Sequence, residues 1–261
     1  MKTHKKSLGQ NFLVDKNIII KIINLITIRK ENIIEIGPGD GALTDEILKR
    51  QPASLTLVEK DFNLAEELKT KYSNNKIIKV FNADILKFDL EKLNKKKFII
   101  FGNLPYNISS QILVKILKFK KWPPKFTDII FMFQKELGEK IVGKYLSLHY
   151  GRLSILSNFR LKILKKFLVS PNCFWPKPKV TSMVIHFKPK LKKEFNIKKI
   201  DSLEKVTNII FSNKRKMINK SLKKILSHEQ IKQISNLKLE LRPSDLKPEI
   251  YYKITELFET K

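Results

Sequence analysis

Among 261 residues there is one cysteine, Cys173, and there are four histidines. A single thiol excludes an internal disulfide framework and fits a reducing compartment, the cytoplasm. So few soft ligands argue against a dedicated zinc site, and no metal is expected. Acidic residues are also scarce: 25 Asp and Glu stand against 53 Lys and Arg, for a net charge of +28. Within the basic set arginine is rare, with six Arg and 47 Lys. Lysine acts as a point charge, whereas arginine offers a planar fork. A lysine-rich surface attracts phosphate without base-specific geometry, so nucleic acid is the expected partner. The bland alternative is compositional drift, since Lys, Ile and Asn recur throughout.

Long hydrophobic runs are missing. Residues 18–28 are rich in Ile, but Lys21 and Asn24 interrupt them, so no membrane span is expected. Met1 to Gln10 is basic and lacks the apolar core of a signal peptide. Asn107-Ile108-Ser109 matches a glycosylation pattern, but nothing suggests secretion. No internal repeat or low-complexity tract occurs.

What is present reads as globular, with 42% hydrophobic and 10% aromatic residues. Apolar runs suited to buried strands occur at 33–36, 55–58, 77–80, 98–101, 129–132 and 184–187, with a further candidate at 161–169. Helix-like stretches such as Leu43 to Lys49 and Ile112 to Phe119 lie between them. The alternation predicts an α/β sheet with helices on both faces. Around Lys188 to Lys193 the composition turns basic and breaks, which places a domain boundary near residue 190. Residues 191–261 read as helical only, with Leu203, Val206, Ile209 and Ile210 at helical spacing. Asp245, after Pro243 and Ser244, is the expected N-cap region of a last helix bearing Ile250, Ile254 and Leu257.

Two stretches carry chemistry. Ile36-Gly37-Pro38-Gly39-Asp40-Gly41 follows the first core strand and precedes a helix. Glycines there allow close approach to a ligand at a helix N-terminus. The spacing is not that of the dinucleotide fingerprint, and no Lys follows as in a nucleotide triphosphatase loop. Glu59 ends the next strand and is placed to accept from two ribose hydroxyls. Asp84 ends the third and is placed to accept from an adenine amine, or else simply to close an Asx-type turn.

The second stretch is Asn103-Leu104-Pro105-Tyr106, at the end of the fourth strand. Pro105 disfavours the α region for Leu104 and leaves its carbonyl free for the cleft. Asn103 adds a side-chain acceptor and Tyr106 a flat aromatic face. An adenine would use all three. Two acceptors would hold both hydrogens of its exocyclic amine, while the ring stacks on Tyr106. The electrophile would be the methyl of S-adenosylmethionine, aligned for in-line attack. The bland reading is an ordinary strand-ending turn with a buried tyrosine.

At these residues the sequence resembles the ribosomal RNA adenine N6,N6-dimethyltransferases of the KsgA type. The resemblance runs through Ser7 to Leu13 (SLGQNFL), Glu35 to Thr44 (EIGPGDGALT), Asn103 to Ile108 (NLPYNI) and Phe133 to Glu136. It continues through Tyr150 to Ser154, Phe174 to Ser182 (FWPKPKVTS), Lys214 to Lys216 and Leu241 to Pro243. It implies a Rossmann-like class I methyltransferase over residues 1–190 and a helical RNA- and ribosome-binding domain over 191–261. It further implies N6,N6-dimethylation of two adjacent adenosines in a hairpin near the 3′ end of small-subunit rRNA, on a pre-ribosomal particle, by a monomeric enzyme. By matching position, Asn11, Leu13, Gly37, Gly39, Glu59, Asp84 and Asn103 would contact S-adenosylmethionine. Asn103, Leu104, Pro105 and Tyr106 would form the target pocket.

Three other readings compete with it. A large-subunit adenine methylase of the antibiotic-resistance type shares Q-N-F-L and N-[LI]-P-[YF] but usually lacks this glycine loop and the L-R-P segment. A non-catalytic assembly or transcription factor would be favoured by loss of the loop, Glu59 or Asn103, and all are present. A DNA adenine methylase would show a D-P-P-Y-like motif.

Overall fold

The computed structural model describes residues 11–93, 96–192, 194–235 and 237–260. Ser7 to Gln10 of the N-terminal motif lie outside the described residues. The chain divides into two compact units, one of residues 1–138 and 162–189, the other of residues 139–161 and 190–261.

The first unit is an α/β sheet. Its elements in chain order are β1 (Phe12–Leu13), α1 (Lys16–Ile23), β2 (Asn32–Ile36), α2 (Ala42–Lys49), β3 (Ser54–Glu59), α3 (Phe62–Lys71), β4 (Ile78–Asn82), α4 (Leu90–Leu93), β5 (Phe98–Asn103), α5 (Ser109–Leu117) and β6 (Phe126–Gln134). Helix α6 (Lys135–Val142) carries the chain into the second unit, where α7 (Arg152–Arg160) follows. The chain then returns through β7 (Leu161–Val169), β8 (Phe174–Trp175) and β9 (Ser182–Pro189).

Seven strands form one sheet in the order β4-β3-β2-β5-β6-β9-β7, and β1 and β8 form a separate two-stranded ribbon. The pairs β2–β3, β2–β5, β3–β4 and β5–β6 are parallel, whereas β9 joins β6 antiparallel. Parallel strands buried on both faces read as near-continuous apolar runs, which is why β2, β3 and β5 were legible. Alternate residues serve opposite faces. Ile33, Leu55, Leu57, Ile99 and Phe101 pack with Ile19, Ile22 and Ile23 of α1 and Leu43 and Ile47 of α2. Ile34, Ile36, Val58 and Ile100, one residue out of phase, are buried as well.

β4 departs from the expected buried strand at 77–80. It runs from Ile78 to Asn82 with no fully buried residue. It is the sheet's edge, so one side needs no apolar cover, and an exposed Lys79 discourages edge-to-edge pairing.

The second unit adds α8 (Ile200–Phe211), α9 (Asn219–Lys223), α10 (His228–Lys232) and α11 (Pro248–Phe258) to α7. Leu203, Val206 and Ile210 are buried on α8, as their spacing predicted. The last helix starts later than expected. Lys247 is its N-cap and Pro248 occupies the first turn, where its missing N–H costs nothing. Asp245 instead closes a 3-10 turn over Pro243–Asp245, its carboxylate accepting from the Arg242 N–H at 3.1 Å. Three buried tyrosine hydroxyls tie this unit together. Tyr150 donates to Leu246 O at 2.8 Å, Tyr251 to Pro243 O at 2.6 Å and Tyr252 to Ile155 O at 3.1 Å. The linear boundary near 190 is where the sheet ends, but residues 139–161 group with the helical unit because α7 packs on α8 and receives Tyr252.

Candidate active site

Because β2, β3, β4 and β5 are parallel, their C-terminal ends share one edge. Register places Ile36 beside Val58 and Gly102, and Glu59 beside Asn82. The loops leaving those ends enclose a cleft, and the N-terminal segment closes one side. Asn11 to Leu13, Glu35 to Asp40, Glu59, Lys60, Ala83, Ile85 and Asn103 to Ile108 all line it.

The glycine loop turns left-handed three times, with φ of +66° at Gly37, +59° at Gly39 and +86° at Gly41. At Gly39 a β-carbon would also sit 3.0 Å from the Phe12 ring, and at Gly41 one would meet the Tyr72 hydroxyl at 2.6 Å. Conformation and space therefore both require glycine at these two positions. The loop is held from outside by Asp45, whose carboxylate accepts from Tyr72 Oη at 2.6 Å and Lys71 Nζ at 2.7 Å.

Glu59 accepts from the Gly39 N–H at 3.2 Å through one oxygen and from the Asp61 N–H at 2.8 Å through the other. Burial raises its pKa, against the lowering effect of the Asp61, Gly39 and Lys60 backbone N–H groups. Two backbone donors use half of a carboxylate's acceptor capacity, so lone pairs remain for hydroxyls at the cleft. Beneath the loop lies a second carboxyl that sequence reasoning assigned no role. Glu35 is 1% exposed and accepts from Thr44 Oγ1 at 2.6 Å. Burial pushes its pKa up to about 8, and the nearby Asp45, Glu59 and Asp40 push the same way.

Asp84 lies between Ala83 and Ile85, which both line the cleft. Its carboxylate pairs with Lys60 Nζ at 2.9 Å and accepts from the Leu86 N–H at 2.9 Å, an Asx-type turn. The Lys60 bond holds its pKa below the usual carboxylate range.

At the end of β5, Gly102 has no room for a side chain. A β-carbon there would lie 2.6 Å from Leu104 Cδ2 and 3.1 Å from Ile36 O. Leu104 therefore tucks under the strand end and is 2% exposed. Asn103 Nδ2 donates to the backbone carbonyl of Asn11 at 3.0 Å. A carbonyl can only accept, so this bond fixes which end of the amide is which and turns Oδ1 away from Asn11. The following carbonyls are engaged locally: Pro105 O accepts from the Ile108 N–H at 3.2 Å and Tyr106 O from Ser109 Oγ at 3.2 Å. The Tyr106 hydroxyl lies 2.5 Å from Ser182 Oγ, which anchors the ring to the start of β9. Burial raises the Tyr106 pKa, so it stays a neutral phenol at physiological pH.

The structure thus brings Asn11, Leu13, Gly37, Gly39, Glu59, Asn103, Leu104, Pro105 and Tyr106 together around one cleft, with Asp84 between the lining residues Ala83 and Ile85. Sequence reasoning assigned no roles to Phe12, Glu35 or Lys60 in the lining, nor to Ser182 behind Tyr106. Phe12, Glu35 and Ser182 all sit inside motifs quoted above. Among the described residues, no group of three or more His, Cys, Asp or Glu is arranged to hold a metal ion. Among them also, no helix is long and apolar enough to cross a membrane.

Known proteins agree with this geometry. The family model described as "Ribosomal RNA adenine dimethylase" matches residues 1–260. "Ribosomal RNA small subunit methyltransferase A" of Pelagibacter ubique (strain HTCC1062) is 41% identical over 259 residues, covering 98% of this chain and 97% of that relative. The protein so named in Malacoplasma penetrans (strain HF-2) is 39% identical over 254 residues, covering 95% and 90%. Among solved structures, a dimethyladenosine transferase from Plasmodium falciparum has a TM-score of 0.74 at 26% identity, covering 93% of this chain and 95% of that one. The 23S rRNA methyltransferase ErmE has a TM-score of 0.71 at 24% identity, covering 95% and 100%, a likeness of fold. A sheet of the Rossmann-like class I methyltransferase type, a glycine cleft beside N-L-P-Y and a match along nearly the whole length lead to one conclusion: this chain belongs to the ribosomal RNA adenine dimethylase family.

Proposed function

We propose that the cleft binds S-adenosylmethionine and that the protein dimethylates N6 of two adjacent adenosines in a hairpin near the 3′ end of small-subunit rRNA, within a pre-ribosomal particle. The observation that carries this reading is the polarity of Asn103, fixed by Asn11 at the rim of the glycine cleft. The small-subunit target is supported by the names of the relatives at about 40% identity.

The lining fits the cofactor. Gly37 and Gly39 line the cleft with left-handed backbone, a β-carbon at Gly39 would press on the Phe12 ring that also lines it, and Glu59 keeps lone pairs for two ribose hydroxyls. Asn11, Leu13 and Gly37 complete the wall, Ala83 and Ile85 flank the base, and Asp84, paired with Lys60, is placed to accept from the adenine amine. When bound, S-adenosylmethionine supplies an electrophilic methyl group on a positively charged sulfur.

The remaining task is to make an aromatic amine nucleophilic. Its lone pair is delocalised into the adenine ring. Asn103 Oδ1 and the Leu104 carbonyl accept its two hydrogens and favour a pyramidal nitrogen, with the lone pair aimed along the transfer axis. Tyr106 stacks on the base once it has left its own helix or loop. Ser182 holds that ring still, so orientation is set before the base arrives.

The second unit is assigned to docking on the particle, with Asn213 to Met217 as an exposed basic turn. We assign the protein to the cytoplasm and to a monomeric state.

The test is methyl transfer from labelled S-adenosylmethionine to unmethylated small-subunit particles, with modified bases mapped by mass spectrometry. Dimethyladenosine at two neighbouring positions is expected. Label on large-subunit RNA instead, or no transfer despite tight binding, would overturn the reading.

A further inference from the structure

The β1–β8 ribbon has two faces. Register pairs Leu13 with Phe174 and Phe12 with Trp175. Paired residues share a face, and successive residues alternate. Leu13 and Phe174 belong to the buried core, where Leu13 also borders the cleft. Phe12 lines the cleft, with its ring in van der Waals contact range of Gly39. Its partner, Trp175, is 51% exposed. Paired α-carbons lie within about 5.5 Å, so the half-exposed indole springs from the backbone directly beside a residue that lines the cleft.

From Trp175 the chain runs Pro176-Lys177-Pro178-Lys179-Val180-Thr181-Ser182. Lys177, Lys179 and Val180 are exposed. The strap ends on Ser182, which holds the Tyr106 hydroxyl. It therefore connects the residue beside Phe12 to the residue behind the target-base tyrosine. No Asp or Glu occurs between Glu139 and Glu194, so no sequence-local acid neutralises these lysines. Two prolines stiffen the strap and reduce the entropy lost when a ligand docks.

A half-exposed tryptophan followed by two exposed lysines, near a site that reads a single base, has the composition of a platform for unpaired nucleotides. We propose that Trp175 stacks the base next to the target adenosine, and that Lys177 and Lys179 hold the phosphates on either side of it. The proposal rests on the reading of the cleft as an RNA adenine site. It gives the enzyme a means of presenting one adenosine while its neighbour is parked at the rim.

The test compares Trp175→Ala, Trp175→Leu and Trp175→Phe with the wild type on unmethylated small-subunit particles. Base–aromatic stacking predicts that the Ala and Leu variants raise KM for particles roughly 5- to 100-fold, while Phe stays within about threefold. Affinity for S-adenosylmethionine, measured by calorimetry without RNA, is expected to stay within twofold in all three. Lys177→Ala with Lys179→Ala should lower the salt slope of particle binding by about 2. Ala and Leu variants with wild-type KM would overturn the proposal. A parallel loss of cofactor affinity would also overturn it, since it would show that Trp175 merely packs the ribbon. If the wild type transfers no methyl at all, the functional reading fails. Particle binding by sedimentation then decides the platform: weakened binding of Ala and Leu, but not Phe, sustains it, and equal binding overturns it.

Discussion

Replacing Glu35 by Gln should change how stability depends on pH, and the sign follows from the structure. The carboxyl is buried beneath the glycine loop and bonded to Thr44 Oγ1 at 2.6 Å. Its pKa rises from 4.5 to about 8 in the folded chain. Between those values the folded state keeps a proton that the unfolded state has released. Stability then falls as pH rises, because the unfolded chain binds fewer protons. A displacement from 4.5 to about 8 corresponds to roughly 5 kcal/mol lost across that window. Gln is close in shape, can still accept from Thr44 and cannot ionise. Urea denaturation of both proteins between pH 5 and pH 9 is the assay. The wild type should lose ground to the variant steadily up to about pH 8 and then run parallel to it. A constant difference across the whole range would refute the reasoning, since it would mean that Glu35 ionises alike in both states.

Asn103→Ala should lower kcat by about 100-fold or more, the scale of one lost transition-state hydrogen bond, with particle binding retained; near-normal turnover would remove Asn103 from the chemistry. Gly39→Ala places a side chain at φ +59° and 3.0 Å from Phe12. The left-handed backbone alone costs an L-residue about 1–2 kcal/mol, so affinity for S-adenosylmethionine should fall roughly tenfold by calorimetry. Ser182→Ala and Tyr106→Phe each delete the same 2.5 Å bond. Each should cost about fivefold in kcat/KM, and the double variant no more than either alone, which a double-mutant cycle would detect.

The fold was legible where local chemistry decides it. Runs such as Ile33 to Ile36 and Phe98 to Phe101 are apolar because parallel strands are buried on both faces, and the structure sets them at the sheet's centre. Glu59 and Asn103 stood out because they are polar groups closing such runs. Edges were harder to see. Ile78 and Val80 look like core residues in a short window, yet nothing in that window says that β4 has a neighbour on one side only. Asp84 also closes a strand, and its Asx-type turn and Lys60 pair show how that strand end is held. The part of the site that reasoning from single residues could not reach is non-local. The orientation of Asn103 depends on a carbonyl 92 residues away, and that of Tyr106 on a hydroxyl 76 residues away. Only the quoted motifs hinted that those segments meet.

The chain's route between its two units bears on how this enzyme can be taken apart and inherited. The backbone crosses at 138/139, again at 161/162 and a third time at 189/190. The helical unit is thus not a tail attached to a methyltransferase. A cut at residue 190 leaves α7 behind without α8, and without the Tyr252 hydroxyl that caps Ile155 O. Recombination that exchanged only the last 71 residues would meet the same mismatch. A new helical unit has to arrive as two pieces at once, so the helical unit and the sheet unit are constrained to descend together.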